Sequence, residues 1–326
     1  MKRIETSART ATVVGSHQGR VRVGVIGAGV FGGYHAQKFA ASFDAEFVGV
    51  FDLNTENAGK LIAKVGKGEV FSSFEAIADA CDALVIATPA SSHATLTRKA
   101  LEAGKHALVE KPLALKGSEA RALAKLALDR DLVLSVGHQE RLVFEAMGLF
   151  ATGERPKRVE AVRMGPASPE GRCEDVSVVF DLMIHDLDLT AELFGGDVRG
   201  VDGAGHSAHT RLLDHASAEL MFGVNGHAKL TASRCAEKRE RWMRIEYASG
   251  TVEIDFLTRA VKNTTSFNIV ADVSAILPDP LKAADEAFLA AIQGRAAPVI
   301  TGGVGARAAA MAEMVESCAM PVTVAA

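Results

Sequence analysis

Between Val21 and Asp52 the chain reads VRVGVIGAGVFGGYHAQKFAASFDAEFVGVFD, and no other stretch constrains its fold so tightly. Val21 to Ile26 is an apolar run of the kind that forms a buried parallel strand. Gly27, Gly29 and Gly32 follow as G-x-G-x-x-G, and a segment carrying Val30, Phe31, Tyr34 and Phe39 opens directly behind them. A second apolar run, Phe47 to Phe51, ends at Asp52, 20 residues beyond the last glycine. The three glycines alone would say little. Strand, glycines, helix and acid in register predict a dinucleotide-binding βαβ unit.

Each position answers a physical requirement. Gly27 permits the tight turn off the strand, Gly29 lets the backbone approach a pyrophosphate, and Gly32 lets the helix pack closely on the strand. The helix start at Val30 and Phe31 offers unpaired N–H groups and a partial positive charge to phosphate. Asp52 would accept hydrogen bonds from the ribose hydroxyls of NAD and repel the 2′-phosphate of NADP. Leu53-Asn54-Thr55-Glu56 supplies no arginine to reverse that preference. NAD is therefore the expected cofactor. The competing reading is an ordinary glycine turn in an α/β domain without one.

The alternation continues. Asn54 to Gly66 predicts a helix, with Asn54 as N-cap and Gly66 as stop. Val70-Phe71 is a short strand, and Ser73 caps a helix through about Ala80. Asp82 to Thr88 (DALVIAT) is a buried strand, and Ser91 or Ser92 caps the helix that runs to about Gly104. A strand over Ala107 to Glu110, a helix over Ser118 to Asp129 and a strand over Leu132 to Val136 complete six strands. Those fit a doubly wound parallel sheet of order 3-2-1-4-5-6.

The pattern changes after His138. Residues 140–150 read as helix, Arg158 to Met164 as strand, and Val178 to Phe194 as helix stopped by Gly195-Gly196. Strand runs follow at Ala218 to Phe222, Ala228 to Ser233, Trp242 to Tyr247 and Thr251 to Phe256, some separated by Asn225-Gly226 and Ser249-Gly250. Such short connections imply a mostly antiparallel, open sheet. Helices over about Leu281 to Gln293 and Gly305 to Ser317 close the chain. The expected organisation is α/β: a disordered tail over 1–20, a Rossmann domain over 21–139, and an α+β domain over 140–326.

Composition narrows the function. The chain has 326 residues, 48% hydrophobic and 23% charged, enough for two domains with a sizeable core. A formal net charge of −4 argues against nucleic-acid binding, which needs a clustered basic excess. Cys81, Cys173, Cys235 and Cys318 are far apart and form no C-x-x-C pair, which argues against a metal site or disulfide framework and for a reducing compartment. No run approaches the roughly 18 to 20 apolar residues that span a bilayer. The first 20 residues lack the apolar middle of a secretory signal. A cytoplasmic protein without membrane contact is expected.

Four constellations could carry chemistry. Glu110-Lys111-Pro112 sits at the C-terminal end of a parallel strand, the edge where open α/β sheets bind ligands. An ammonium there can donate to a substrate hydroxyl, although a surface lysine in a βα loop is the plainer reading. Asp181 and His185 stand four apart on a helix, so a carboxylate beside an imidazole could supply a general acid/base, with Asp188 also flanking it. A charged helix face with one histidine is the alternative. Gly137-His138-Gln139-Glu140-Arg141 follows the last Rossmann strand at the same edge, as substrate contact or as polar hinge. Thr88-Pro89 and His93 follow DALVIAT beside the glycine loop and could line the cofactor cleft. Further on, Arg163, Arg172, Arg234 and Lys238 could meet a phosphate-bearing substrate.

In their order and spacing, GAGVFGGYHA, ATPASSH, EKPLA and DLMIHDLD resemble the Gfo/Idh/MocA family of sugar-type dehydrogenases from about Val21 onward. The resemblance implies a Rossmann domain joined to an α/β domain whose open sheet mediates a dimer or tetramer. It also implies oxidation of a carbon bearing a hydroxyl, with Lys111, Asp181 and His185 as the catalytic set. Within the family, GHQER and DLMIHDLD are most similar to the subgroup that oxidises C3 of UDP-N-acetylglucosamine in lipid A biosynthesis. A nucleotide sugar is thus the expected substrate. Inositol, a free aldose, or a non-catalytic NAD-sensing role would keep the same fold.

Overall fold

The computed structural model describes residues 19–167, 175–196 and 198–319. Residues 1–18 of the tail expected over 1–20, together with Arg172 and Cys173, lie outside the described residues. Six parallel strands form the first sheet: β1 (Val21–Ile26), β2 (Ala45–Phe51), β3 (Glu69–Val70), β4 (Ala83–Ile86), β5 (His106–Val109) and β6 (Leu134–Val136). Their order is β3-β2-β1-β4-β5-β6, the doubly wound arrangement expected. Alternation along each strand splits the apolar residues between two faces. Val21, Val23 and Val25 meet Phe39 of α1 (Val30–Ala41) and Leu61 of α2 (Thr55–Val65). Leu84 and Ile86 meet Ile77 of α3 (Phe74–Ala80), Leu101 of α4 (His93–Glu102) and Leu123 of α5 (Gly117–Asp129).

Local chemistry sets the element ends. The Asn54 side chain accepts from the N–H groups of Glu56 and Asn57, Gly66 ends α2 in the left-handed region, and Ser73 caps α3. The cap expected for α4 does not form. The Ser92 hydroxyl turns back to Pro89 O and Thr88 Oγ1, and Ala90–Ser92 is a 3₁₀ turn instead. Gly27 has φ +102°, and a Cβ on Gly32 would lie 1.9 Å from Gly27 O, so neither position of the nucleotide loop tolerates a side chain.

The second sheet has seven strands in the order β13-β12-β11-β7-β10-β9-β8. Its members are β7 (Arg158–Met164), β8 (Val198–His206), β9 (His215–Phe222), β10 (Gly226–Ser233), β11 (Glu240–Glu246), β12 (Thr251–Asp255) and β13 (Val261–Asn263). All its pairings are antiparallel except β7 with β10. Both edge strands are additions to the sequence reading. β8 carries Gly200, Gly203 and Gly205 and no large apolar alternation, while β13 is short and polar. One face packs on α7 (Ile184–Phe194) and α9 (Gly302–Ala319) in an apolar core that includes Leu187, Leu230, Met243 and Val315. The opposite face carries Trp242, Val162 and Thr231 in one cross-strand row of half-buried side chains.

Two late helices return to the first sheet. Phe288, Leu289 and Ile292 of α8 (Pro280–Ile292) join the core under α1. Thr301 bridges to Ser135 of β6, and α9 lies so close to α5 that a Cβ on Gly117 would sit 2.6 Å from Ala310 Cα. Between these elements lies α6 (Glu140–Met147), entered directly from β6. Among the described residues no helix is long and apolar enough to cross a membrane.

A buried ionic bridge ties α8 to the nucleotide helix. His35 of α1 lies with Nδ1 2.8 Å from Asp285 Oδ1 of α8 and Nε2 3.2 Å from Glu110 Oε1 at the end of β5. Burial alone would lower the imidazole pKa, but the two carboxylates outweigh it and raise it to about 10. A histidine raised above its unfolded value stabilises the fold in full below about pH 6.5 and loses that contribution as pH rises through about 10. His35→Leu, which buries two acids without their cation, is expected to cost about 3–5 kcal/mol near neutral pH. Urea denaturation of both proteins across this range checks it. The stability gap should narrow as the solution becomes more alkaline, and a gap independent of pH would contradict the charged bridge.

Candidate active site

The cofactor side of the cleft is built by the β1–α1 turn and the end of β2. Asp52 Oδ2 accepts the Ala28 N–H at 2.6 Å, and Oδ1 accepts the Asn54 N–H at 2.7 Å. The carboxylate is thus anchored against the glycine loop. A Cβ on Gly29 would meet no protein atom within 4 Å and would instead fill the approach to the N-terminus of α1. That cradle, the free first-turn N–H groups and the acid fit NAD. Val30 and Phe31 are partly exposed on this first turn, and Phe31 also lines the cleft. Thr88 and Pro89 close the neighbouring turn, with Thr88 against Gly27.

His93 has a different position from the one expected. It is 1% exposed, with Nδ1 2.7 Å from Pro112 O and Nε2 2.9 Å from Thr88 O. It braces the β4–α4 turn against the Lys111-Pro112 turn, whose peptide bond is cis, and has no face toward a cofactor. Burial lowers its pKa. Glu110 reaches the cleft floor, but its carboxylate also receives Gln139 Nε2 and the Lys111 N–H at 3.2 Å each. A Cβ on Gly137 would lie 2.9 Å from that carboxylate, which explains the glycine there.

Lys111, Asp181 and His185 line one cleft of about 700 Å³. Their pairing differs from the sequence reading. Asp181 holds Lys111, whose Nζ donates to Asp181 Oδ1 at 3.0 Å and to Asp181 O at 2.7 Å. The expected Asp181–His185 contact fails because Val179–Met183 is a π-helical turn. Its i→i+5 spacing rotates residue 181 away from the face that an α-helix would share with residue 185. His185 Nδ1 is buried with no hydrogen-bond partner, and the ring stands edge-on to His138 at 6.4 Å. Its pKa falls well below 6.5 rather than rising. Burial is the main cause, and Arg163, Lys111 and His138 add to it against the pull of Glu140. Asp188 does not flank His185 either, since it binds Arg141 at 2.9 Å.

Buried ion pairs occupy most of the basic residues expected to meet substrate. Arg163 grips Glu140 through Nη1 and Nη2 (2.9 and 2.8 Å) and Asp186 through Nε and Nη2 (3.1 and 2.8 Å). Burial would raise the Glu140 carboxyl, but Arg163 overrides it and holds it at about 2. Arg141 joins Asp188 and Glu192 behind the cleft, and His138 lies fully buried beside them. Arg234 borders the cleft but sits 3.2 Å from Asp214 and donates to Val176 O at 2.6 Å. Lys238 is exposed and does not line the cleft. Arg239 and Arg241 do line it, and the sequence reading had passed over both. Among the described residues no cluster of three His, Cys, Asp or Glu side chains could hold a metal ion.

A Rossmann sheet with a nucleotide loop, facing a lysine and an uncharged histidine across a polar cleft, defines a nicotinamide-dependent oxidoreductase architecture. Residues 21–138 match the GFO_IDH_MocA description "Oxidoreductase family, NAD-binding Rossmann fold", and residues 155–253 match the "GFO/IDH/MocA C-terminal domain". UDP-N-acetylglucosamine 3-dehydrogenase of Acidithiobacillus ferrooxidans is 37% identical over 297 residues, 88% of this chain and 93% of that protein. Its solved structure superposes with a TM-score of 0.83 at 36% identity, covering 92% of this chain and 98% of that one. The WlbA dehydrogenase from Bordetella pertussis, solved in complex with NADH and UDP-GlcNAcA, shares the fold with a TM-score of 0.82 at 20% identity, over 93% and 96% of the two chains. The chain therefore belongs to the Gfo/Idh/MocA oxidoreductase family, and its first sheet is an NAD-binding Rossmann domain.

The anchored acid at the end of β2 is expected to set cofactor preference. NAD should bind at least about tenfold more tightly than NADP, the scale of one charge-assisted contact or repulsion. Asp52→Ala should narrow that gap. Fluorescence titration with both dinucleotides checks it, and equal binding of the two by the unaltered protein would contradict it.

Proposed function

We propose that the protein oxidises the C3 hydroxyl of UDP-N-acetylglucosamine to the 3-keto sugar, using NAD. The observation that supports this most directly is the convergence of Lys111 and His185 on one cleft beside the nucleotide loop. The 37% identity to a UDP-N-acetylglucosamine 3-dehydrogenase over most of both chains points to the substrate. NAD bound there supplies the hydride acceptor. His185, kept neutral by burial, takes the hydroxyl proton. Lys111, held by Asp181, donates to the same oxygen and stabilises its developing negative charge. Glu110 fixes the backbone of Lys111 through its N–H.

In this reading the protein works in the cytoplasm, in keeping with the unpaired Cys81, Cys235 and Cys318. It assembles as a homo-oligomer through the outer face of the second sheet, where Trp242, Val162 and Thr231 form a row that no strand partner covers. The ketone would pass to an aminotransferase, as the resemblance to the lipid A subgroup implies.

NADH formation from UDP-N-acetylglucosamine, drawn forward by an aminotransferase with glutamate, tests the reading. Faster reaction of free N-acetylglucosamine, glucose or inositol would overturn the substrate. Lys111→Met and His185→Ala should each lower kcat on the order of 10²-fold or more while NAD binding holds. In the oxidative direction the acid limb of the rate profile should fall below pH 6.5, because a depressed histidine stays a base to lower pH. An acid limb above that value would remove His185 as the base.

A further inference from the structure

Five cations line the cleft, and two of them have no ion pair among the described residues. Lys111 is matched by Asp181, Arg163 by Glu140 and Asp186, Arg234 by Asp214, and Glu110 by His35. Arg239 and Arg241 remain, both lining the cleft. Neither guanidinium has an ion pair among the described residues, and Arg241 Nε is buried without a hydrogen-bond partner. Strand alternation puts Arg241 there. It lies opposite Arg163 in the β7–β11 register, on the side of β11 that sends Met243 and Ile245 into the core. Burial lowers the Arg241 pKa, and Arg163 and Arg239 add to it against the pull of Glu140 and Asp186. Arg239 is exposed and Arg241 half-buried, and an anion arriving in the cleft would give the Arg241 guanidinium the partner that its Nε lacks.

We propose that Arg241, assisted by Arg239, is the receptor for the phosphoryl anion of the substrate and makes this cleft select a phosphorylated sugar over a neutral one. This rests on the sugar-dehydrogenase reading above. The reacting hydroxyl lies at Lys111 and His185, and the anion lies against β11 in the same cleft. Two unmatched guanidiniums balance the two negative charges of a sugar-nucleotide diphosphate, and each planar fork can grip phosphate oxygens in pairs. Arg239 and Arg241 thus take the role expected of Arg163, Arg172, Arg234 and Lys238.

Calorimetric titration of the NAD-loaded enzyme with UDP tests the subsite separately from turnover. Arg241→Gln should weaken UDP binding about 10- to 100-fold, the range for losing a hydrogen-bonded charge. Arg241→Lys should recover part of the loss. Arg244→Gln, on the opposite side of β11, should leave binding unchanged. Kinetically, Arg241→Gln should raise KM for UDP-N-acetylglucosamine far more than it lowers kcat. Should Arg241→Gln fail to fold, Arg239→Gln and Arg241→Lys carry the same titration. Unchanged UDP binding in the folded variants would overturn the subsite even if UDP-N-acetylglucosamine is oxidised. If the wild type does not oxidise that sugar, yet binds UDP or glucose 6-phosphate in an Arg241-dependent way, the substrate falls and the anion subsite stands.

Discussion

The Glu110 carboxylate is where the molecule's parts are joined. It sits at the end of β5 in the first sheet and touches three things at once. His35 brings it the nucleotide helix and, through Asp285, the late helix α8. Gln139 brings the crossing into the second half of the chain, and the Lys111 N–H brings a residue that lines the cleft. A buried carboxylate tolerates this place only with a cation beside it, and the imidazole of His35 is that cation. Gly137 leaves just enough room. Cofactor loop, lysine and second sheet therefore share one rigid reference point, and rigid placement is what a hydride-transfer geometry needs.

A second ionic unit gives the cleft its opposite wall. Arg163 holds Glu140 from α6 and Asp186 from α7, so a strand and two helices are clamped around one guanidinium. The clamp sets the electrostatic setting of His185. Burial keeps the ring uncharged, and Arg163, Lys111 and His138 add to that against the pull of Glu140. The π turn completes the division of labour. By turning Asp181 toward Lys111, it leaves His185 without a hydrogen-bonded carboxylate, so the imidazole stays neutral while Lys111 is the side chain held in place.

Much of this was legible in the sequence because it depends on short-range periodicity. Apolar runs bounded by glycine and cap residues located β1 to β6, and Asn54, Gly66 and Ser73 marked helix ends that the structure keeps. Lys111 and His185 fall in one cleft because strand ends and helix faces fix where side chains gather. What stayed hidden depends on pairing across the chain. The i,i+4 rule joined Asp181 to His185 on the assumption of an α-helix, and a widened turn broke it. Arg163 and Arg141 looked available because sequence shows no partner 47 residues away, such as Asp188 for Arg141. In RCAEKRERWMR, which arginines point inward depends on the register of β11, and a slip of one residue reverses the answer. Edge strand β8 escaped notice because glycines replace the apolar alternation that marks a strand.

The return of α8 to the first sheet has a consequence for how the chain is made. The strands of that sheet are all synthesised by Val136, yet the face carrying Val21, Val23 and Val25 is roofed in part by Phe288, Leu289 and Ile292. His35 and Asp285, which fasten that roof, are 250 residues apart. During synthesis the nascent nucleotide domain must therefore wait, with apolar surface bare and His35 lacking one of its acids, until α8 leaves the ribosome. A chain of this topology folds late and is most exposed to aggregation or chaperone capture in that interval.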